Sequence, residues 1–330
     1  MSITRRRFFG VSAAVAAAVG LVVASQLTGA AGGDEPCPAT AKDAAEAAAP
    51  QVVPEDCWPD DPAGEGAPAT QRTAPPRPTT PAASAPPGPT TPAASAPPAA
   101  EADTTGVTAG VALAAGEAGT FDEDGLVLEG LHVVGDLTLT GDGQVLRNSR
   151  VEGQVLVGGS GQVVEDSEVG ALSVSGATSF TASRVEVFGL KGSDGIHITS
   201  DTGRAADILI EGSWVHSPSV TSGSHYDGIQ VRGVDRLAIR GNTIDLGTWA
   251  PQYNAAVFLE DANGGNAGVV IDGNVLDGGG YSMYLEGSDI AVTGNRFGRE
   301  SRWGLVYPEH SAFTATGNAW EDTGATVSLP

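Results

Sequence analysis

The segment Ser224-His225-Tyr226-Asp227-Gly228-Ile229-Gln230 carries the densest chemistry in the sequence, and Ser193-Asp194-Gly195-Ile196-His197 echoes it one repeat earlier. An imidazole near its ordinary pKa exchanges protons at neutral pH, which makes His225 a candidate general base. Asp227 and Asp194 have two readings. They could orient that imidazole or hold Ca²⁺, or each could make an Asp-Gly turn whose carboxylate accepts backbone N–H groups. A turn does not require His225.

Rare residue types gather around this phrase. His197, His216 and His225 are three of the five histidines, all five tyrosines fall between 226 and 307, and Lys191 is the only lysine after residue 42. Short alternating segments align on the apolar residues Ile196, Ile229, Val257, Met283 and Leu305. The alignment predicts an outward column His197, Gln230, Phe258, Tyr284 and beside it Thr199, Arg232, Glu260, Glu286. A groove of this make-up suits a sugar chain, with Phe258, Tyr284 and Tyr226 against ring faces and Lys191 and Gln230 against hydroxyls. His225 or His197 would be the base and Arg232 a carboxylate clamp or acid. Glu260 and Glu286, on adjacent repeats, form a candidate carboxylate pair for glycoside hydrolysis. The plainer reading is a solvated sheet face with cross-repeat ion pairs such as Arg232–Glu260.

What holds these residues is a repeat. Val145-Leu-Arg-Asn-Ser149, Val163-Val-Glu-Asp-Ser167, Leu209-Ile-Glu-Gly-Ser213, Ala238-Ile-Arg-Gly-Asn242, Val270-Ile-Asp-Gly-Asn274 and Ala291-Val-Thr-Gly-Asn295 are versions of one phrase, with fainter copies at Leu131, Ser183 and Asn318. The steps are 18, 18, 16, 30, 29, 32, 21 and 23 residues. Multi-strand steps of this size without a helical period predict an all-β solenoid of about nine coils, in which no coil is stable alone. The repeated Ser or Asn fits a sharp turn, because Asn tolerates left-handed backbone angles and stacked amides bond between coils. Three coils between Ser183 and Asn274 are swollen by about ten residues each, and insertions in repeat arrays collect on the binding face.

Composition divides the 330 residues in two. Seventeen of 21 prolines precede residue 106, and 38 of 46 glycines lie from residue 106 onward. Residues 1–31 run from Arg5-Arg6-Arg7-Phe8-Phe9 through an apolar stretch to small residues, the order of an export signal of twin-arginine type. If uncleaved, that segment is the one place where a membrane would be touched. Residues 32–105 are rich in Pro, Ala and Thr, with Pro-Thr-Thr-Pro-Ala-Ala-Ser-Ala-Pro-Pro at 78–87 and 89–98, and are expected to be a disordered linker. Cys37 and Cys57, the only cysteines, would form one bridge in an exported chain. With 40 acidic against 17 basic side chains the net charge is −23, which excludes a nucleic-acid partner.

Several phrases, taken in order, resemble secreted right-handed parallel β-helix repeat proteins of high-G+C Gram-positive bacteria. They are Ser224-His-x-Asp-Gly-Ile-Gln230, Arg240-Gly-Asn-Thr-Ile244, Gly278-Gly-Gly-Tyr-Ser-Met-Tyr-Leu285, Gly294-Asn-Arg-Phe-Gly-Arg299 and Gly317-Asn-Ala-Trp-Glu-Asp-Thr-Gly324. The resemblance covers most of 106–330 and implies that fold, preceded by signal and linker. More distantly it implies kinship with pectate and alginate lyases and polygalacturonases. Tyr226 stands where relatives commonly have Asn, and His197 where they often have Lys, so a lyase's base would fall to His197 or Lys191. Two functions follow as expectations. One is a monomeric, extracellular or surface-held lyase or glycoside hydrolase acting on a polysaccharide or cell-wall glycan, with Asp227, Asp194, Glu260 and Glu286 as possible Ca²⁺ ligands. The other is a non-catalytic glycan-binding or adhesive rod on its Pro-rich stalk. Residues 106–330 hold 29 acidic and 11 basic side chains, a net of −18, which disfavours a polyuronate unless Ca²⁺ bridges.

Overall fold

The computed structural model describes residues 100–101 and 103–330. The signal expected over 1–31, most of the linker and the Cys37–Cys57 bridge lie outside the described residues. Just before the first coil the Thr105 hydroxyl donates to the Glu101 carbonyl at 2.8 Å, and the Gly106 N–H donates to Arg184 O at 3.0 Å.

All regular structure among the described residues is strand. One ladder of nine strands runs from Val127–Glu129 to Phe313–Thr316. A 17-stranded sheet contains two more ladders, joined where Arg150–Val157 and Glu168–Ser175 continue through a corner unbroken. Each strand pairs in parallel with its counterpart one coil on, as Ile196–Thr199 does with Tyr226–Arg232 and that strand with Tyr253–Glu260. The result is the parallel β-helix of nine coils that the repeat predicts.

Period-two burial drives the winding. Along Arg150–Val157 every second residue is buried, and Val151, Val155 and Val157 have no exposed surface. Side chains that alternate across a strand give each ladder one apolar face, and closing the coil brings those faces into one core running from Val133 to Val327.

A column of side-chain amides locks the coils at one corner. The backbone N–H of Asn242 donates to Asn274 Oδ1 at 2.9 Å, that of Asn274 to Asn295 Oδ1 at 2.9 Å, and that of Asn295 to Asn318 Oδ1 at 3.0 Å. Ser149, Ser167 and Ser213 fill the same slot with their hydroxyls. Two expectations are corrected here. The left-handed residue is the one before the Asn (Gly241, Gly273, Gly294, or Asn148, Asp166 and Arg184 in earlier coils), so the Asn serves the hydrogen bonds and its neighbour makes the bend. Ser183 does not belong to the column, since it pairs with Glu165 and Glu211. Val185 occupies that slot, its N–H donating to Ser213 Oγ at 3.1 Å. The early coils are therefore of equal length, and the swelling starts after Val185.

The extra residues lie at both ends of the third ladder, Ile196–Thr199, Tyr226–Arg232, Tyr253–Glu260 and Tyr281–Leu285. Residues 188–195, 217–225 and 246–252 wall one end, and 200–205 and 261–265 the other. The outer face of this ladder is the floor between two sets of loops.

Candidate functional site

The floor carries the columns that the alignment predicts. His197 pairs with Gln230, Gln230 with Phe258 and Phe258 with Tyr284, while Thr199 pairs with Arg232 and Arg232 with Glu260. The last inward residue differs from expectation. Met283 pairs with Val306, which is buried, and Leu305 is only partly covered.

A third column, Asp194, Asp227, Ala255 and Tyr281, lies outside the core because of a local irregularity. Gly228 and Ile229 both face inward: a Cβ on Gly228 would collide with Ile244 Cγ2, and Ile229 is fully buried. Ala256 and Val257 repeat this pair on the next coil, and register shifts between Tyr226 and Asp227. Two successive inward residues turn the preceding one outward. The Asp-Gly-Ile phrase thus encodes a kink within a strand, and Asp227 is a strand residue rather than the turn residue of the plainer reading.

Asp227 is fully buried. Its Oδ1 accepts a hydrogen bond from Asn254 Nδ2 at 2.9 Å, while Oδ2 has no hydrogen-bond partner and stands 3.4 Å from His225 Nδ1. Burial pushes the carboxyl well above the usual range, opposed by the Asn254 and Ala255 donors. Asp194 Oδ1 accepts the Asp227 N–H at 2.9 Å, and burial together with the Asp227 charge raises the Asp194 pKa to about 7. Desolvation lowers the His225 pKa, with Asp194 and Glu260 pulling the other way; the side chain keeps 46% of its surface exposed. Neutral imidazole beside a protonated carboxyl is the pairing that acid–base catalysis uses. Asn254 was not legible in the sequence because it falls in the kink, between Tyr253, which pairs with Tyr226, and Ala255, which pairs with Asp227.

Glu260 is buried beside this group. It forms an ion pair with Arg232 Nε at 3.0 Å and accepts from Gln230 Nε2 at 3.3 Å. Burial raises its pKa and Arg232 opposes the rise. The expected Glu260–Glu286 pairing holds in register, but Glu286 Oε2 accepts the Asp261 N–H at 2.8 Å and lines an adjoining open cleft of about 690 Å³ with Arg204, Asp235, Glu309 and His310. That cleft reaches neither His225 nor Asp227.

Other expectations change. Tyr226 is 2% exposed and its ring packs in the core, so it is not a sugar contact. His197 Nε2 is enclosed without a partner, and burial and Arg232 lower the ring's pKa; a base needs an open nitrogen, and His225 is the better one. Lys191 is exposed in the loop 188–195. Phe258 and Tyr284 point outward but are 9% and 7% exposed, roofed by Tyr281 and Tyr307. Any ring stacking falls to the roof. Among the described residues no three His, Cys, Asp or Glu side chains converge as metal ligands. One oxygen of Asp194 accepts the Asp227 N–H and one oxygen of Asp227 accepts the Asn254 amide N–H.

With this geometry in place, comparison with known proteins fixes the class. The family model described as right handed beta helix region matches residues 170–327, which include every residue of the site. The chain is a right-handed parallel β-helix. Among solved structures it is similar to the crystal structure of Dettilon tailspike protein (gp208), at 11% identity and a TM-score of 0.28, covering 61% of this chain and 52% of that one. The chain thus spans about half the length of that structure. No curated protein matches it.

Proposed function

We propose that this is an exported, monomeric, carbohydrate-active β-helix protein that cleaves a polysaccharide, with hydrolysis favoured over β-elimination. The observation that carries the reading is the unpartnered Asp227 Oδ2 facing His225, next to an Asp194 that keeps its proton up to about pH 7. In the hydrolytic step Asp194 gives its proton to the glycosidic oxygen as the bond from the anomeric carbon to that oxygen breaks. A water attacks the anomeric carbon and passes a proton to His225, whose Nδ1 faces Asp227 Oδ2 at 3.4 Å. Elimination needs a cation to neutralise a uronate carboxylate; Arg232 on the floor is spent on Glu260, which leaves that task to Lys191 in the loop 188–195. The twin-arginine-like start of the sequence and its Pro-rich linker support a site outside the cell or at its surface.

The aromatic roof of Tyr281, Tyr307 and Trp303 supports a second reading, a glycan-binding rod without catalysis. A glycan panel separates the two. New reducing ends, or an unsaturated sugar absorbing in the ultraviolet, mean cleavage by hydrolysis or elimination respectively; retention of intact polymer means a binding module.

A further inference from the structure

The aromatic roof does not end over Phe258 and Tyr284. Tyr284 stacks on Tyr307 with centroids 4.7 Å apart, Tyr307 meets Tyr281 at 5.4 Å, Tyr281 meets Trp303 at 5.7 Å, and Trp303 meets Trp249 at 5.8 Å. At the other end Phe258 meets Tyr284 at 5.2 Å and His225 at 6.2 Å. One unbroken run of rings therefore leads from the acid–base pair across the floor to the wall at 246–252.

The run is built in, with its outer members left accessible. A Cβ on Gly280 would collide with the Trp303 ring, so the third glycine of Gly278-Gly279-Gly280 is the seat on which the indole lies against backbone. The Trp303 N–H donates to Gly280 O at 2.8 Å and fixes the segment there. Tyr281, Tyr307, Trp303 and Trp249 are each only partly covered, whereas Phe258 and Tyr284 beneath are buried. Partly exposed rings in a row, Tyr281 on its strand and Trp249, Trp303 and Tyr307 in the segments beside it, match the apolar faces of successive sugar rings, at low cost in side-chain entropy.

Charge decides which sugars. The site end of the run holds Asp194, Asp227, Glu260 and Glu286, and Glu309 follows Tyr307 by two residues. Arg232 is held by Glu260, and the Arg302 guanidinium lies over Trp249 at the far end, 5.7 Å from its ring. Residues 106–330 carry 29 acidic against 11 basic side chains, a net of −18, so the field around this path repels a polyuronate.

We infer that Trp249, Trp303, Tyr281 and Tyr307 form consecutive subsites for an uncharged glycan, which they guide to the His225–Asp227 pair. The substrate class is a neutral polysaccharide, its sugars bound by their ring faces. The inference rests on the carbohydrate reading above but is tested by binding rather than cleavage.

The test uses the full chain in affinity electrophoresis through gels cast with neutral polymers (a β-glucan, a mannan, a xylan) or with acidic ones (polygalacturonate, alginate). At least one neutral polymer should retard the protein, and the acidic ones should not. Trp303→Ala and Tyr307→Ala should each weaken that retardation about tenfold, which is one stacked ring per substitution. Trp303→Phe should keep most of it, and thermal melting should show each variant folded. Retardation by polyuronates alone, by no neutral polymer, or equally in Trp303→Ala and the parent, overturns the inference. If binding follows this pattern and no polymer is cleaved, the subsites stand and the catalytic reading falls. If cleavage occurs and Trp303→Ala binds normally, the reverse holds.

Discussion

His225 Nδ1 lies 3.4 Å from Asp227 Oδ2, a fully buried carboxylate oxygen with no hydrogen-bond partner of its own. That separation is slightly longer than a hydrogen bond and tightens when the imidazole gains a proton.

Asp227→Asn keeps an oxygen for Asn254 and removes the acidic Oδ2 that faces His225 Nδ1. It should lower kcat by about 10²-fold or more, in line with the worth of a positioned acid–base group. His225→Ala should cost about as much, and the double variant little more, because the two act as a unit. Steady-state kinetics on the cleaved polymer would show it; full additivity of the two losses would separate their roles.

Activity should follow a bell in pH. His225 must be neutral, and desolvation holds its pKa below the ordinary 6.5; Asp194 must be protonated, which it is up to about 7. The optimum is therefore mildly acidic, with an alkaline limb near pH 7. A kcat/KM profile still rising at pH 8 would remove Asp194 from the role of acid.

Stability has its own pH signature. The Asp194 pKa rises from 3.8 to about 7 on folding, so the folded state binds the proton more tightly. Its contribution is fully present below about pH 4 and is lost as pH rises toward 7. Asp227, also raised, extends the decline. Asp194→Asn, which still accepts the Asp227 N–H, should flatten the fall and raise Tm at pH 8 by roughly 2–4 °C, for a gain of order 1 kcal/mol. Melting curves from pH 4 to 8 test the sign; a Tm that climbs over this range in the parent protein would contradict it.

The architecture was legible because its determinants are local and repeated. An apolar alternation recurs in every coil and a Ser or Asn corner in most of them, and copies of one pattern reinforce one another. The columns His197–Gln230–Phe258–Tyr284 and Arg232–Glu260 followed from the same register. Where the pattern is broken by one or two residues, sequence reasoning slipped. The corner column was placed on Ser183 instead of Val185, Leu305 was taken for Val306, and the kink at Gly228 hid the partnership of Asp227 with Asn254. The roofing of Phe258 and Tyr284 depends on Tyr307 and Trp303 from the following coil, a long-range contact that no local phrase announces.

The Asn corner makes a separate stability claim. Removing Asn274 leaves the buried Asn242 backbone N–H without its acceptor, takes one of two acceptors from Asn242 Nδ2, which keeps the Ile210 carbonyl, and removes the amide that donates to the Ile239 carbonyl. Asn274→Ala should cost about 3 kcal/mol. Asn274→Ser should recover part of it, since Ser213 fills the same slot with its hydroxyl. Urea unfolding of the two variants would measure the difference, and equal midpoints would mean that the amide column does little.

The most direct measurement is product formation by the full chain on the neutral polymers that it binds, assayed as new reducing ends with His225→Ala alongside. The His225–Asp227 account predicts cleavage of at least one polymer at pH 6 to 7 and a loss of about 10²-fold or more in His225→Ala. No cleavage of any bound polymer, or equal rates for the two proteins, would contradict it.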